Sequence, residues 1–174
     1  MRLTQGELTI RDATIADAPT LGNWWRDGAV MAHAGLPNGL DVTDEHIAAQ
    51  IADTTSNNHL LIIEIGGEAV GETHYRDMSC GVAQIGMKIC EPTQQEKGYG
   101  TRLYTMLMGE LFGPLGFEKT ILSTNPNNLR ARHVYKNKLG FREVGIDVDS
   151  WQDQLGELQS SVHYEMRRDE FRRS

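Results

Sequence analysis

Gly98 and Gly100, in the run Gln95-Glu96-Lys97-Gly98-Tyr99-Gly100, put two residues without side chains just ahead of an amphipathic segment. A loop entering a helix presents backbone N–H groups that lack intrahelical acceptors, together with the positive end of the helix dipole. Glycines there let an anion approach the backbone closely, so the run predicts a phosphate-binding turn. Two glycines also suit a turn that binds nothing. No Gly-Lys-Ser/Thr follows and the third glycine of a dinucleotide fingerprint is missing, which disfavours both of those phosphate loops.

Two further sets of residues carry chemistry. The first is Asn125-Pro126-Asn127-Asn128-Leu129-Arg130-Ala131-Arg132-His133-Val134-Tyr135, with Leu139-Gly140-Phe141 after it. Asn125 and Asn128 offer amides at the end of a strand, and Asn128 is equally placed to cap the next helix. Tyr135 lies one turn beyond Ala131 and one before Leu139, a periodicity that fits a buried tyrosine. The second set is Glu72 and His74, which share one face of a predicted strand. Each has a bland alternative, an exposed or paired carboxylate and a structural histidine.

The elements that hold these residues follow from patterning. Leu8–Arg11 reads as the first strand, and Thr14 and Asp17 mark a helix start that leads through Leu21, Trp24 and Trp25. Adjacent tryptophans on a helix point in different directions, so at least one is expected in the core. Thr43 can cap a second helix bearing Ile47 and Ile51. Leu60–Ile65 and Ala69–Tyr75 are strands joined by the hairpin signal Gly66-Gly67, and Val82–Cys90 continues the meander up to the Glu91-Pro92 break. Leu103, Met106, Leu107 and Leu111 recur at helical spacing until Gly113-Pro114. Lys119–Thr124 reads as a strand, 129–139 as a helix, Phe141–Val148 and Val162–Met166 as strands, with an irregular insertion from Asp149 to Ser161. A mixed sheet flanked by helices is expected.

Gln-x-x-Gly-x-Gly followed by Asn-x-x-Ala-x-x-x-Tyr and Gly-Phe resembles motifs A and B of the GNAT superfamily of acetyl-CoA-dependent N-acetyltransferases, in order and in separation. Arg11-Asp12-Ala13-Thr14 with Asp17-Ala18 resembles that family's first strand and helix, so the likeness spans nearly the whole chain. It implies an α/β fold with a mixed, mostly antiparallel sheet in which two central parallel strands splay apart to admit the pantetheine arm. A bulge around Gly86–Lys88 is the expected device. Amides of Lys97, Gly98, Tyr99, Gly100 and Thr101 would hold the pyrophosphate, with Gln95 in the same motif and with Lys97 and Arg102 adding charge. The backbone of Met87, Lys88 and Ile89 would pair with the pantetheine like a neighbouring strand. Asn125 and Asn128 would reach the same arm. Tyr135 would protonate or hydrogen-bond the departing CoA thiolate. An amine of pKa near ~10 must lose a proton before it attacks, and Glu72, with His74 beside it, is the first candidate base or relay.

The resemblance therefore implies an enzyme that moves an acetyl group from acetyl-CoA directly to a primary amine of a small cationic molecule or a peptide N-terminus. Asn-Pro-Asn-Asn-Leu-Arg-Ala before a helical tyrosine is similar to aminoglycoside 6′-N-acetyltransferases and to the ribosomal-protein N-terminal acetyltransferase branch. A non-catalytic acyl-CoA-binding sensor of the same fold is the alternative, and a homodimer through the final strands follows only by analogy. One departure stands out: Lys136-Asn137-Lys138-Leu139 separates Tyr135 from Gly140, one residue more than the commonest spacing, so the helix is expected to end differently.

The 174 residues suit one domain, residues 1–174, and hydrophobic and charged contents of 39% and 24% suit a globular protein. The formal charge of −7 argues against a nucleic-acid partner and favours cationic or neutral acceptors. No apolar run approaches membrane-spanning length and no targeting segment is apparent, so a cytoplasmic protein without a membrane partner is expected. Cys80 and Cys90 read as reduced thiols outside any nucleophile motif, and the histidines show no ligand spacing, so no metal is expected. The acidic run Asp147, Asp149, Asp153 and Glu157 around Trp151 reads as a solvated loop or a polycation lure, and Arg167-Arg168 and Arg172-Arg173 as a solvated basic end.

Overall fold

The structure, a computed structural model, describes residues 1–172; Arg173 lies outside the described residues. Eight strands form one sheet in the order β1-β2-β3-β4-β5-β6-β8-β7. They are β1 (Arg2–Gln5), β2 (Leu8–Asp12), β3 (Asn58–Ile65), β4 (Glu68–Asp77), β5 (Val82–Ile89), β6 (Lys119–Thr124), β7 (Arg142–Gln152) and β8 (Leu158–Arg167). The helices are α1 (Ala18–Arg26), α2 (Gly28–Met31), α3 (Asp44–Ala52), α4 (Tyr99–Phe112) and α5 (Leu129–His133), the last continued by a π-helical turn over Val134–Leu139.

The chain groups into two compact units. The first holds residues 1–12, 57–146 and the described residues from 162 on. Its core is the face of the sheet covered by α4, where Leu103, Leu107, Met108 and Leu111 meet Leu61, Ile63, Ile85, Val162 and Tyr164. Alternation along β4 sends Thr73 and Tyr75 into this core and leaves Glu72 and His74 half-buried on the opposite face. The second unit holds residues 13–56 and 147–161. There α1 packs on α3 with Leu21 and Ile47 fully buried. A Cβ added at Gly22 would lie 2.3 Å from Asp44 Oδ1, so a side chain there would have to push aside the ends of the 2.8 Å Arg26–Asp44 pair. Of the adjacent tryptophans, Trp24 is buried and Trp25 half-buried, in keeping with their different directions on one helix.

Three expectations are corrected. β1 precedes the strand taken as first: it is short, exposed almost throughout and pairs with β2 through a tight turn at Gly6. The stretch 149–161 is no irregular insertion. β7 runs on to Gln152 and β8 starts at Leu158, and the turn between them is organised by Asp153, whose Oδ1 accepts from the Leu155 and Glu157 amides at 2.9 and 3.0 Å. Asp153 is thus a turn-forming residue, while Trp151 covers Gly35 and donates to Ser161 Oγ at 3.2 Å.

The third correction bears on the site. No bulge interrupts β5 at Gly86–Lys88; the β4–β5 register is continuous from Gly71↔Ile89 to Asp77↔Ala83. Glycine makes that pairing tight, because a Cβ on Gly71 would fall 2.2 Å from the Lys88 carbonyl oxygen. The register shift lies instead between β3 and β4, at Ile63/Glu64. The parallel strands part because their ladder is short. β5 and β6 pair only over Val82–Gln84 and Lys119–Ile121, after which β6 stays with β8 as far as Thr124↔Val162. The far edge of β5 from Ile85 to Ile89 therefore has no strand neighbour among the described residues.

Candidate functional site

The glycine loop leads from the end of β5 into α4. Gly98 caps the helix at φ 78°, a left-handed conformation that glycine adopts without strain, and Glu96 adopts φ 64°. A Cβ added at Gly98 or Gly100 would meet nothing within 4 Å, so the ground before the helix is open. The amides of Gly98, Tyr99, Gly100 and Thr101 are the ones that helix geometry leaves without intrahelical acceptors. Gln95 ties the loop to the open strand, its Nε2 donating to the Ile89 carbonyl at 2.9 Å. Lys97 Nζ donates to Gln94 Oε1 at 3.1 Å, and Tyr99 packs at the rim of the core. Arg102 turns away from the loop toward the Gln5 carbonyl, 3.4 Å away, so the expected second charge at the loop is absent from it. Arg130 is there instead: it ion-pairs with Glu96 at 3.1 Å. Sequence spacing missed it because the two residues are 34 apart.

Asn125 and Asn128 build the turn between β6 and α5. Asn125 Oδ1 accepts from the Asn127 amide at 2.9 Å, and Asn128 Oδ1 caps α5 by accepting from the Ala131 amide at 3.1 Å. The capping role is realised, and the NH2 end of the Asn128 amide is the part a ligand can use.

Tyr135 sits at the start of the π-helical turn, edge-on to three aromatic rings: Tyr104, Tyr164 and Phe141, with centroids 5.6, 5.5 and 6.3 Å away. Its hydroxyl is 3.3 Å from that of Tyr104. Burial is the chief cause that raises its pKa above the usual 10, so the phenol stays protonated at neutral pH. Tyr164 is fixed in turn by Arg132, whose Nε donates to its hydroxyl at 3.2 Å, and by Glu143 at 3.4 Å.

On the opposite face of the sheet, Glu72 stands across from Lys88, 3.9 Å away, and His74 across from Gly86. The imidazole lies where a Cβ on Gly86 would be, 2.5 Å from its Cε1. Burial, then the charges of Arg76 and Lys88, lower the His74 pKa, so the ring is neutral near pH 7 and can accept a proton. Tyr135 and the Glu72–His74 pair thus occupy opposite faces, with the open edge of β5 between them. Cys90, at the end of β5, is buried with its thiol pushed up to about 12, chiefly by burial and then by the Glu72 charge, so it is a poor nucleophile. Among the described residues no cluster of three His, Cys, Asp or Glu side chains could hold a metal ion, and no helix is long and apolar enough to cross a membrane.

A short parallel pair that opens beside a glycine-capped helix defines a class of enzyme fold, and the sequence agrees: the family model of the acetyltransferase (GNAT) domain matches residues 7–142. The chain belongs to the GNAT acetyltransferase family. Solved structures of the same fold include spermidine N-acetyltransferase from Vibrio cholerae in complex with CoA and spermine, at TM-score 0.84 and 17% identity, covering 95% of this chain and 98% of that one. A GNAT-family acetyltransferase from Bacillus anthracis matches at 0.80 and 19%, covering 98% and 100%. The ribosomal-protein-S5-alanine acetyltransferase from Vibrio fischeri matches at 0.80 and 13%, covering 99% of each chain. No curated protein matches the sequence.

Proposed function

We propose that this chain, acting as a single acetyltransferase domain, transfers an acetyl group from acetyl-CoA directly to a primary amine, carried by a small cationic molecule or a peptide N-terminus. The observation that carries the reading is the β5 edge left open beyond Gln84, next to the unobstructed glycine loop, in a chain of this family. The spermidine and ribosomal-protein alanine acetyltransferases that share the fold support an amine acceptor, and the net charge of −7 favours a cationic one.

The residues divide the work. Amides of Gly98 to Thr101 fit the diphosphate, and Met87–Ile89 offer backbone groups to an extended arm. Bound there, acetyl-CoA supplies an activated carbonyl and a sulfur leaving group. Tyr135 holds a proton on its hydroxyl for that sulfur, and Glu72 or His74 takes one from the acceptor nitrogen, directly or through water. The inert Cys90 thiol supports direct transfer over an acyl-enzyme.

The test is free CoA release from acetyl-CoA in the presence of spermidine, spermine, aminoglycosides, amino acids and alanine-terminated peptides, against an acceptor-free control. Release above control with one amine class supports the reading and names the acceptor. Acetyl-CoA binding without amine-dependent release from any of them counts against it.

A further inference from the structure

Tyr104 is the buried residue that the proposed chemistry does not yet use. It lies on the inner face of α4, 5% exposed, with its ring perpendicular to that of Tyr135. Among the described residues, the only hydrogen-bond partner its hydroxyl has is the Tyr135 hydroxyl. Two arrangements of the shared proton exist, and they differ in cost. Were Tyr135 the donor, the Tyr104 O–H would point into the core without an acceptor, the costlier arrangement. With Tyr104 as donor, its own requirement is met and the Tyr135 proton is left to point elsewhere.

We infer that Tyr104 is a positioning residue for the reaction: it donates its O–H to Tyr135 and thereby turns the Tyr135 proton away from the core and toward the leaving sulfur. This rests on the reading of Tyr135 as the proton donor. The separation of 3.3 Å is longer than the O–H···O optimum. When the Tyr135 proton passes to sulfur, the phenolate left behind keeps the Tyr104 hydrogen bond until solvent returns a proton. The titratable groups that face Tyr135 are Tyr104 from α4 and Tyr164 from β8, and Tyr164 is held by Arg132 and Glu143. Removing the Tyr104 hydroxyl takes away the one group that donates to the Tyr135 phenolate, so the Tyr135 pKa rises.

Tyr104→Phe tests this while keeping the ring. With tyrosine labelled at ¹³Cζ, the Tyr135 resonance, assigned by its loss in Tyr135→Phe, should titrate about half a unit to one unit higher in Tyr104→Phe than in the wild type. With acetyl-CoA and spermidine, or an alanine-terminated peptide if that is the better acceptor, kcat should fall about tenfold while KM for acetyl-CoA stays within twofold. In a Tyr135→Phe background the same substitution should cost nothing further. An unmoved Tyr135 titration, or an equal loss in both backgrounds, overturns the inference and leaves Tyr104 a packing residue. Wild-type transfer by Tyr135→Phe alone would instead sink the proton-donor reading, a result the titration distinguishes.

Discussion

The Gly140 amide donates to the Tyr135 carbonyl, a bond that spans five residues where an α-helix spans four. The Phe141 amide donates to the same oxygen at 2.8 Å. The wider turn absorbs the one extra residue between Tyr135 and Gly140, so Phe141 still reaches the core while Tyr135 keeps its place against Tyr104 and Tyr164. π turns of this kind are often found at functional sites.

Gly140→Ala should therefore destabilise the protein. Gly140 holds φ 82° and an added Cβ would touch nothing within 4 Å, so the penalty is backbone strain alone. A cost of about 1–2 kcal/mol follows from forcing an L-residue into the left-handed region. A thermal midpoint lower by about 2–8 °C is expected. An unchanged midpoint would mean that the turn does not end as described.

Gly100→Ala should have the reverse effect on stability and a harmful one on binding. Gly100 lies in the first turn of α4 without a positive φ, so alanine should hold or raise stability by up to about 1 kcal/mol. Its methyl would project into the open space where the diphosphate is proposed to lie. Calorimetric titration with CoA should show at least about tenfold weaker binding with the melt preserved. Equal affinity for CoA would remove the glycine loop from the site.

How much of this was legible in the sequence depended on whether a local signal existed. Lys119–Thr124 was read with its observed bounds, and the Gly66-Gly67 hairpin and the Gly113-Pro114 stop lie where the turn chemistry put them, because each is set by neighbouring residues. The β7–β8 hairpin was not legible past Val148, since β7 is exposed almost throughout and its pattern shows no buried face. β1 escaped for the same reason, having one half-buried position in four. The splay was expected but assigned to a bulge. It lies where the parallel ladder stops while β6 goes on pairing with β8, which leaves no mark on β5 itself. Tyr104 is not among the residues whose spacing marks α4, and nothing within that helix announces a hydroxyl 31 residues further along the chain.

Glu96 and Arg130 should tune donor affinity in opposite directions. Their side chains are 81% and 59% exposed, so the pair itself adds at most about 1 kcal/mol to stability. Its larger effect is electrostatic, for it places a carboxylate and a guanidinium at the mouth of the proposed anion site. Glu96→Gln should tighten CoA binding a few-fold, and Arg130→Gln should weaken it by a similar factor. Both effects should shrink when ionic strength rises from about 0.01 to 0.15 M, as the screening length falls from about 30 to 8 Å. Insensitivity of CoA affinity to both substitutions at low salt would place the anion elsewhere.

His74 gives the fold and the proposed reaction a shared dependence on pH. Its folded pKa lies below the usual 6.5, with burial the main cause and Arg76 and Lys88 adding to it, so the unfolded chain binds the proton more readily than the folded one. Stability therefore rises with pH through the window just below 6.5 and is lost as pH falls through it. The wild-type thermal midpoint should drop more steeply between pH 7 and pH 5 than that of His74→Gln, in which this linkage is gone. If His74 rather than Glu72 takes the acceptor proton, the acidic limb of kcat/KM should lie below pH 6.5, and His74→Gln should cost about 10²-fold or more in kcat while Glu72→Gln costs little. The opposite ranking assigns the proton to Glu72 and leaves His74 as the ring that fills the space above Gly86. Gly86→Ala moves the ring without removing it: its methyl must displace the imidazole, so it should flatten the stability–pH slope as His74→Gln does.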